Sequence, residues 1–172
     1  MSDIDLDKQI SDALEHGAEY LAMGEIAANT GLLVSPAPRN NSDYDIIVNN
    51  IDLSRGCMIE VIHSRNQFKA KIKGSDYDFL VFIYAPSEIV NGVPKPKYGR
   101  DTDDQGNADK KRGLYVFPRE IVQTTLKDNS NIFDPTEITI DSTNDKEKYK
   151  EYRNAFHLIT ELVPNSPPDF NP

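Results

Sequence analysis

Two acidic residues lie within apolar stretches that are predicted strands, and their chemistry points to a metal site. Asp45 precedes the apolar residues 46–48, and Glu60 stands inside the apolar run 57–62. An ionised carboxylate that is buried in an apolar strand loses its water, which is costly unless a partner compensates. A divalent cation is such a partner, because hard cations prefer carboxylate oxygens. The pattern therefore predicts a metal site, beside the simpler alternative that both acids lie at strand ends or face solvent.

The elements that must position these acids are three consecutive strands predicted over residues 42–73. The first strand carries Asp45, the second carries Glu60, and the third covers residues 68–73. The following run, 79–85, is apolar throughout and has the length of a strand. Such a run is typical of a strand that is covered on both faces of a sheet.

A long helix is predicted over residues 3–29, because apolar residues recur there at steps of three and four. The pair His16-Gly17 is expected to break this helix, and Glu19 lies beside its apolar stripe, where a solvated carboxylate is the simple interpretation. An amphipathic helix is predicted over 146–162. Short strands are predicted over 32–34, 114–117 and 138–140. Together these elements predict an α/β fold with a central mixed β-sheet flanked by helices.

Composition and length predict a single domain over residues 1–163. Residues 86–112 are rich in Pro, Gly, Asp and Lys without periodicity, which predicts a long polar loop, and the proline-rich residues 164–172 predict an extended tail. The single cysteine, Cys57, cannot form an internal disulfide. No apolar run has membrane-spanning length, and the N-terminus lacks signal-peptide character, so we expect a cytoplasmic protein that does not contact membranes.

The net charge of −9 argues against a surface made for general nucleic-acid binding. The charge is nevertheless segregated along the chain. Residues 63–73 contain Arg65, Lys69, Lys71 and Lys73 and no acid. This segment is therefore a candidate local basic face, although solvated lysines on a strand face are an equally good explanation.

The order of these segments resembles the PD-(D/E)XK nuclease superfamily, the fold of many restriction endonucleases and Holliday-junction resolvases. The resemblance extends over roughly residues 15–125 and rests on GAEYLAMGEIAANTG, SDYDIIV, MIEVIHSRN, FKAKIKGSDYDFLVFIYAP and GLYVFPREIV. It implies a Mg²⁺-dependent endonuclease that hydrolyses DNA phosphodiester bonds, with Mn²⁺ able to substitute. It also implies that Asp45 and Glu60 bind the metal, that the backbone carbonyl of Val61 is a further ligand, and that Glu19 is the helix acid near the metal.

The sequence departs from that family two residues after Glu60, where a lysine is usual and Ile62 stands instead. Isoleucine neither binds a proton nor donates a hydrogen bond. A tight hairpin over 64–67 would place Lys69 opposite Ile62 and Lys71 opposite Glu60, on one face of the sheet. A relocated lysine at either position is one explanation for Ile62, and loss of catalysis is the other.

A further possible base, His63, is expected on the opposite face of its strand from Glu60 and Ile62. The cations expected to contact duplex or branched DNA are Arg65, Lys73, Lys110, Lys111 and Arg112. Cutting both strands of a duplex is simplest with two active sites, so a homodimer is expected.

Two further hypotheses accompany the nuclease. One is a catalytically inactive module on a nuclease fold that binds nucleic acid or a protein partner, since fold does not determine function. The other is an acidic mimic of DNA, which the basic segment 63–73 argues against.

Overall fold

A computed structural model describes residues 6–38, 43–64, 69–71, 76–84, 87–90, 93–96, 113–126, 137–139 and 149–165. Its strands are β1 (Leu33–Pro36), β2 (Ile46–Asn49), β3 (Gly56–Ser64), β4 (Lys69–Lys71), β5 (Phe79–Tyr84), β6 (Ser87–Val90), β7 (Val93–Pro96), β8 (Gly113–Pro118) and β9 (Glu137–Thr139). Its helices are α1 (Leu6–Thr30), the single turn α2 (Arg119–Ile121), a π-helical turn (Val122–Leu126), a 3₁₀ turn (Lys150–Tyr152) and α3 (His157–Leu162).

The centre of the fold is a five-stranded mixed sheet in the order β1-β2-β3-β5-β8. Strand β3 pairs with β2 in antiparallel and with β5 in parallel, and β5 pairs with β8 in antiparallel. The predicted α/β fold class is therefore confirmed. The apolar run at the start of β5 is buried at every position from Phe79 to Ile83, as expected for a central strand covered on both faces.

Two apolar clusters cover the opposite faces of the sheet. On the first face, α1 contributes Ala18, Ala22 and Ile26, which recur every four residues and are buried against alternate residues of the strands. We call this the α1 face. The second face carries a mainly aromatic cluster, which we call the aromatic face; its buried members are Tyr77, Leu80, Phe82, Tyr115, Phe117, Val122 and Tyr149.

Helix α1 continues through His16 and Gly17, so the predicted break is wrong. A glycine inside a helix costs about 1 kcal/mol relative to alanine. Burial of Ala18 and Ala22 on the α1 face outweighs that local cost. The helix ends at Gly31, which adopts a φ of 68° and donates its N–H to the carbonyl of Ala27 at 3.0 Å.

The predicted helix over 146–162 is also wrong within the described residues. The 3₁₀ turn is followed by Arg153, which forms a β-bridge with Tyr115, and by Asn154 at a positive φ of 53°. Helix α3 begins only after this crossing. Tyr149 therefore packs on the aromatic face, whereas Phe156 belongs to the cluster on the α1 face.

Part of the predicted loop 86–112 is regular. Strands β6 and β7 pair in antiparallel, with Val90 opposite Val93. The residues between them in sequence are Asn91-Gly92, the pair most typical of two-residue hairpin connections. Residues 97–112 and most of the predicted tail lie outside the described part of the chain. None of the helices in that part combines the length and apolar character that crossing a bilayer requires.

Candidate active site

Asp45 lies immediately before β2 and attaches the start of that strand to β3. Its backbone N–H donates to the carbonyl of Ile59 at 2.9 Å, and its carboxylate Oδ2 accepts the N–H of Val61 at 2.8 Å. The N–H of Val61 belongs to the peptide unit that joins it to Glu60. The half-buried Asp45 carboxylate is thus held beside the main chain of Glu60, on the neighbouring strand.

Glu60 lies inside β3 and is only 6% exposed. Among the described residues, it and Asn50 are the polar side chains buried to this degree. Glu60 alternates with Ile59, which packs on the α1 face, so Glu60 points to the aromatic face. Burial, and next the negative charge of Glu60, raise the pKa of the Tyr77 phenol to about 12. The alternative of a solvent-facing carboxylate is therefore wrong for Glu60, while Asp45 does lie at a strand end.

Glu19 projects from α1 and is half-buried. Its carboxylate oxygen lies 3.4 Å from Nδ1 of His16, one turn earlier in the helix. Burial is the main cause that raises the pKa of Glu19, and the negative charge of Asp45 adds to it. The structure therefore brings Glu19 and Asp45 into electrostatic range, although they lie on different elements.

The donor set suits a hard cation. Asp45 and Glu60 provide carboxylates on adjacent strands, and Val61 provides a nearby backbone carbonyl. Among the described residues, no group of three His, Cys, Asp or Glu side chains is arranged to hold a metal ion. Mg²⁺ is usually bound through one or two carboxylates and keeps several waters, so Asp45 and Glu60 are donors of the type that this ion uses. These donors do not form a closed cage of protein ligands.

Ile62 is half-buried and packs against the aromatic cluster, so its side chain has a structural role on the same face as Glu60. The pairing of β3 with β4 that the predicted hairpin requires is not found among the described residues. Strand β4 pairs with β9, where Lys69 lies opposite Thr139 and Lys71 lies opposite Glu137. Strand β4 belongs to a two-stranded sheet with β9 and not to the sheet of β3, so the prediction that these lysines lie directly across from Ile62 and Glu60 is wrong.

His63 stays within β3, so it points away from the face of Glu60, as expected from the alternation of the strand. The side chains of Lys69 and Lys71 lie outside the described part of the chain. So do the other cations predicted to bind DNA, which are Arg65, Lys73, Lys110, Lys111 and Arg112.

The sequence contained a further signal that our reading of it missed. The tetrapeptide SDYD occurs at 42–45 and again at 75–78, immediately before β2 and β5. These are the two strands that flank β3. The final acid of the second copy, Asp78, accepts the N–H of Met58 at 2.8 Å, just as Asp45 accepts the N–H of Val61. The two repeats attach both neighbours to β3, around Glu60.

The tyrosines of the two repeats share a location as well. Tyr44 and Tyr77 both pack in the aromatic cluster, on the face to which Glu60 points. Arg119, at the start of α2, is near Tyr77, since its positive charge lowers the pKa of the phenol against the larger effect of burial. Neither Tyr77 nor Arg119 was singled out from the sequence.

No protein-family model and no curated protein match this chain. Among solved structures, the fold is similar to that of a bacterial homing endonuclease, I-Ssp6803I, with a TM-score of 0.50 and 16% sequence identity. The similarity covers 88% of this chain and 92% of that enzyme. The five-stranded sheet and its helices thus define a nuclease-like α/β fold.

Proposed function

We propose that this protein is a Mg²⁺-dependent DNA endonuclease of the PD-(D/E)XK type. The observation that supports this most strongly is the position of Asp45, whose carboxylate is held at 2.8 Å from the Val61 amide, beside the buried Glu60. Asp45 and Glu60, next to and within neighbouring strands, and the backbone carbonyl of Val61 match the types of ligand that the family uses. The similarity to a homing endonuclease adds a fold on which DNA cleavage occurs.

In this proposal, Asp45 and Glu60 hold Mg²⁺ together with the carbonyl of Val61. When bound, Mg²⁺ would supply a water of lowered pKa and would stabilise the charge that develops on the phosphate. Hydrolysis adds water across the P–O bond: hydroxide joins phosphorus, and a proton ends on the oxygen that leaves. Glu19 lies in electrostatic range of Asp45 and would serve as an outer acid near the metal.

The proposal assigns the DNA contacts to basic residues outside the described part of the chain. These are Arg65, Lys73, Lys110, Lys111 and Arg112. The substrate is duplex or branched DNA, and a homodimer would place one active site against each strand. Sedimentation analysis of the protein alone and with a short duplex tests the dimer, which requires twice the monomer mass in at least one of these conditions.

Plasmid cleavage with Mg²⁺ and with Mn²⁺ is the experiment that tests the proposal. We expect the wild type to cut, and both Asp45→Asn and Glu60→Gln to lose cutting. Asparagine retains an oxygen that accepts the Val61 N–H, so this change removes a metal ligand while preserving the attachment of β2 to β3.

The matched control is Asp78→Asn, which removes the same charge from an acid with the same hydrogen bond to β3. We expect this variant to cut. Cleavage by Asp45→Asn at the wild-type rate would refute the metal-ligand assignment, and equal loss in Asp78→Asn would show that the strand attachments, and not the metal, explain the defect.

Ile62 favours a second candidate, a nuclease-fold module that binds without cutting. Its side chain is part of the aromatic cluster, so the position usual for the catalytic lysine is used for packing. Isothermal titration with Mn²⁺ distinguishes the two candidates. The nuclease must bind metal, and binding must weaken in Asp45→Asn, whereas an inactive module need show neither effect.

A further inference from the structure

Arg119 occupies a defined position at the end of the central sheet. It is the first residue of α2, directly after β8, and its backbone N–H donates to the carbonyl of Asp78 at 2.9 Å. Its guanidinium lies 3.8 Å from the carboxylate of Asp76, and the two side chains are 41% and 71% exposed. An ion pair that is this long and this exposed contributes little and holds neither partner strongly. The guanidinium is therefore available to another anion.

Arg119 and Glu60 both act electrostatically on one buried tyrosine, Tyr77. Tyr77 is 4% exposed and belongs to the aromatic cluster. Its phenol is within electrostatic range of both the Glu60 carboxylate and the Arg119 guanidinium, which act on it in opposite directions. Among the described residues, Arg119 is the cation whose charge reaches Tyr77 in this way.

The register of the sheet supports the same placement. Glu60 lies opposite Leu80 on β5, and Leu80 lies opposite Phe117 on β8. Leu80 and Phe117 both pack on the aromatic face. Arg119 comes two residues after Phe117, just past the end of β8. It therefore lies near the row of paired residues to which Glu60 and Phe117 belong.

We propose that Arg119 supplies the positive charge that Ile62 cannot, by binding the scissile phosphate beside Tyr77 and Glu60. This inference rests on the proposed nuclease function and adds a phosphate-binding residue to its site. The guanidinium fork donates two parallel hydrogen bonds to the non-bridging phosphate oxygens. It also stabilises the extra negative charge of the transition state.

The chemistry sets a limit on this role. Arginine stays protonated at all relevant pH values, so Arg119 does not take the proton from the attacking water. Arg119 supplies the electrostatic stabilisation that a lysine at position 62 would provide. Proton transfer is left to solvent and to the carboxylates.

The first test is single-turnover plasmid cleavage. We expect Arg119→Ala to reduce the rate by about 10²–10³-fold, as for loss of one preorganised electrostatic donor, and Arg119→Lys to retain part of the rate. Arg153→Ala is the matched control, because Arg153 is exposed and contacts Tyr115 on β8 through its backbone. This control should cut like the wild type.

A rescue variant separates this role from a structural one. Ile62→Lys places a lysine at the usual family position, on the same face as Glu60, and we expect it to restore cutting to Arg119→Ala by about tenfold or more, since a second cation then serves the phosphate. A residue that merely supports the fold cannot be replaced by a cation elsewhere. Loss without rescue would overturn the inference.

DNA binding provides a readout that does not depend on cutting. In the Asp45→Asn background, the slope of log Kd against log salt should fall by about one when Arg119 becomes alanine, because one phosphate contact is lost. If the wild type cuts and Arg119→Ala cuts equally well, the inference fails while the nuclease function stands. If the wild type does not cut, the nuclease function fails, and an unchanged salt slope then overturns the role of Arg119 as well.

Discussion

The two aspartates that close the SDYD repeats allow a matched test of what holds β3 in place. Asp45 and Asp78 each accept one half-buried backbone N–H of β3, from Val61 and Met58, at the same distance of 2.8 Å. Substitution by alanine removes the acceptor and leaves the N–H unsatisfied, which costs about 1–3 kcal/mol. Substitution by asparagine keeps an acceptor and loses only the charge, so it should cost less than about 1 kcal/mol.

The surroundings of the two aspartates differ, and this sets an order between the two alanine variants. The charge of Asp45 opposes the ionisation of Glu19 on α1, whereas Asp78 lies near the neutral thiol of Cys57. Removing Asp45 relieves a repulsion that offsets part of the lost hydrogen bond. We therefore expect Asp78→Ala to lose more unfolding free energy than Asp45→Ala at pH 7 without divalent metal.

Urea denaturation with EDTA measures these free energies for the wild type and the four variants. Repeating it with Mn²⁺ adds the metal: under the proposed function, ligand binding should stabilise the wild type and both Asp78 variants but neither Asp45 variant. Alanine variants that match the wild type within about 0.3 kcal/mol would refute the account of the strand attachments. Equal stabilisation of Asp45→Asn by metal would refute its role as a ligand.

Three further predictions concern single positions. Burial and the charge of Asp45 raise the pKa of Glu19, so its ionisation costs stability once the pH exceeds the ordinary value of 4.5. Glu19→Gln should therefore raise the Tm by an amount that grows from pH 4 to pH 7, and a difference independent of pH would contradict this. Gly56→Ala places a methyl group 3.1 Å from the carbonyl of Val48 and against the Asn49 side chain, so urea denaturation should show a loss of about 1–3 kcal/mol. The control Gly17→Ala, with nothing within 4 Å of the added group, should gain about 0.5–1 kcal/mol instead. Burial, and then the charge of Asp78, raise the pKa of the Cys57 thiol to about 12, so about 10⁻⁴ of it is ionised at pH 8. Alkylation should follow unfolding, and rapid labelling of the folded protein would refute this.

Local sequence patterns were enough to predict the α/β class and the central strand. The apolar run from Phe79 to Ile83 predicts a strand that is covered on both faces of the sheet, and every residue of this run is buried. The alternation of β3 likewise placed Glu60 and Ile62 on one face and His63 on the other. These outcomes depend only on the alternation of residues within one segment, so the sequence of that segment is enough to predict them.

The tertiary structure decided which elements meet. The partner of the strand that follows Ser64 depends on residues far along the chain. Lys69 and Lys71 pair with β9 and not with β3. The residues from Tyr149 to Ile159 fit one helical stripe, yet the chain crosses β8 at Arg153 and divides them between opposite faces. A periodic pattern indicates that a side chain is buried but not which residues it contacts, because those contacts depend on the packing of the whole chain. For the same reason the carboxylates of Asp45 and Glu60 could be identified from the sequence, whereas the position of Arg119 next to Asp78 could not.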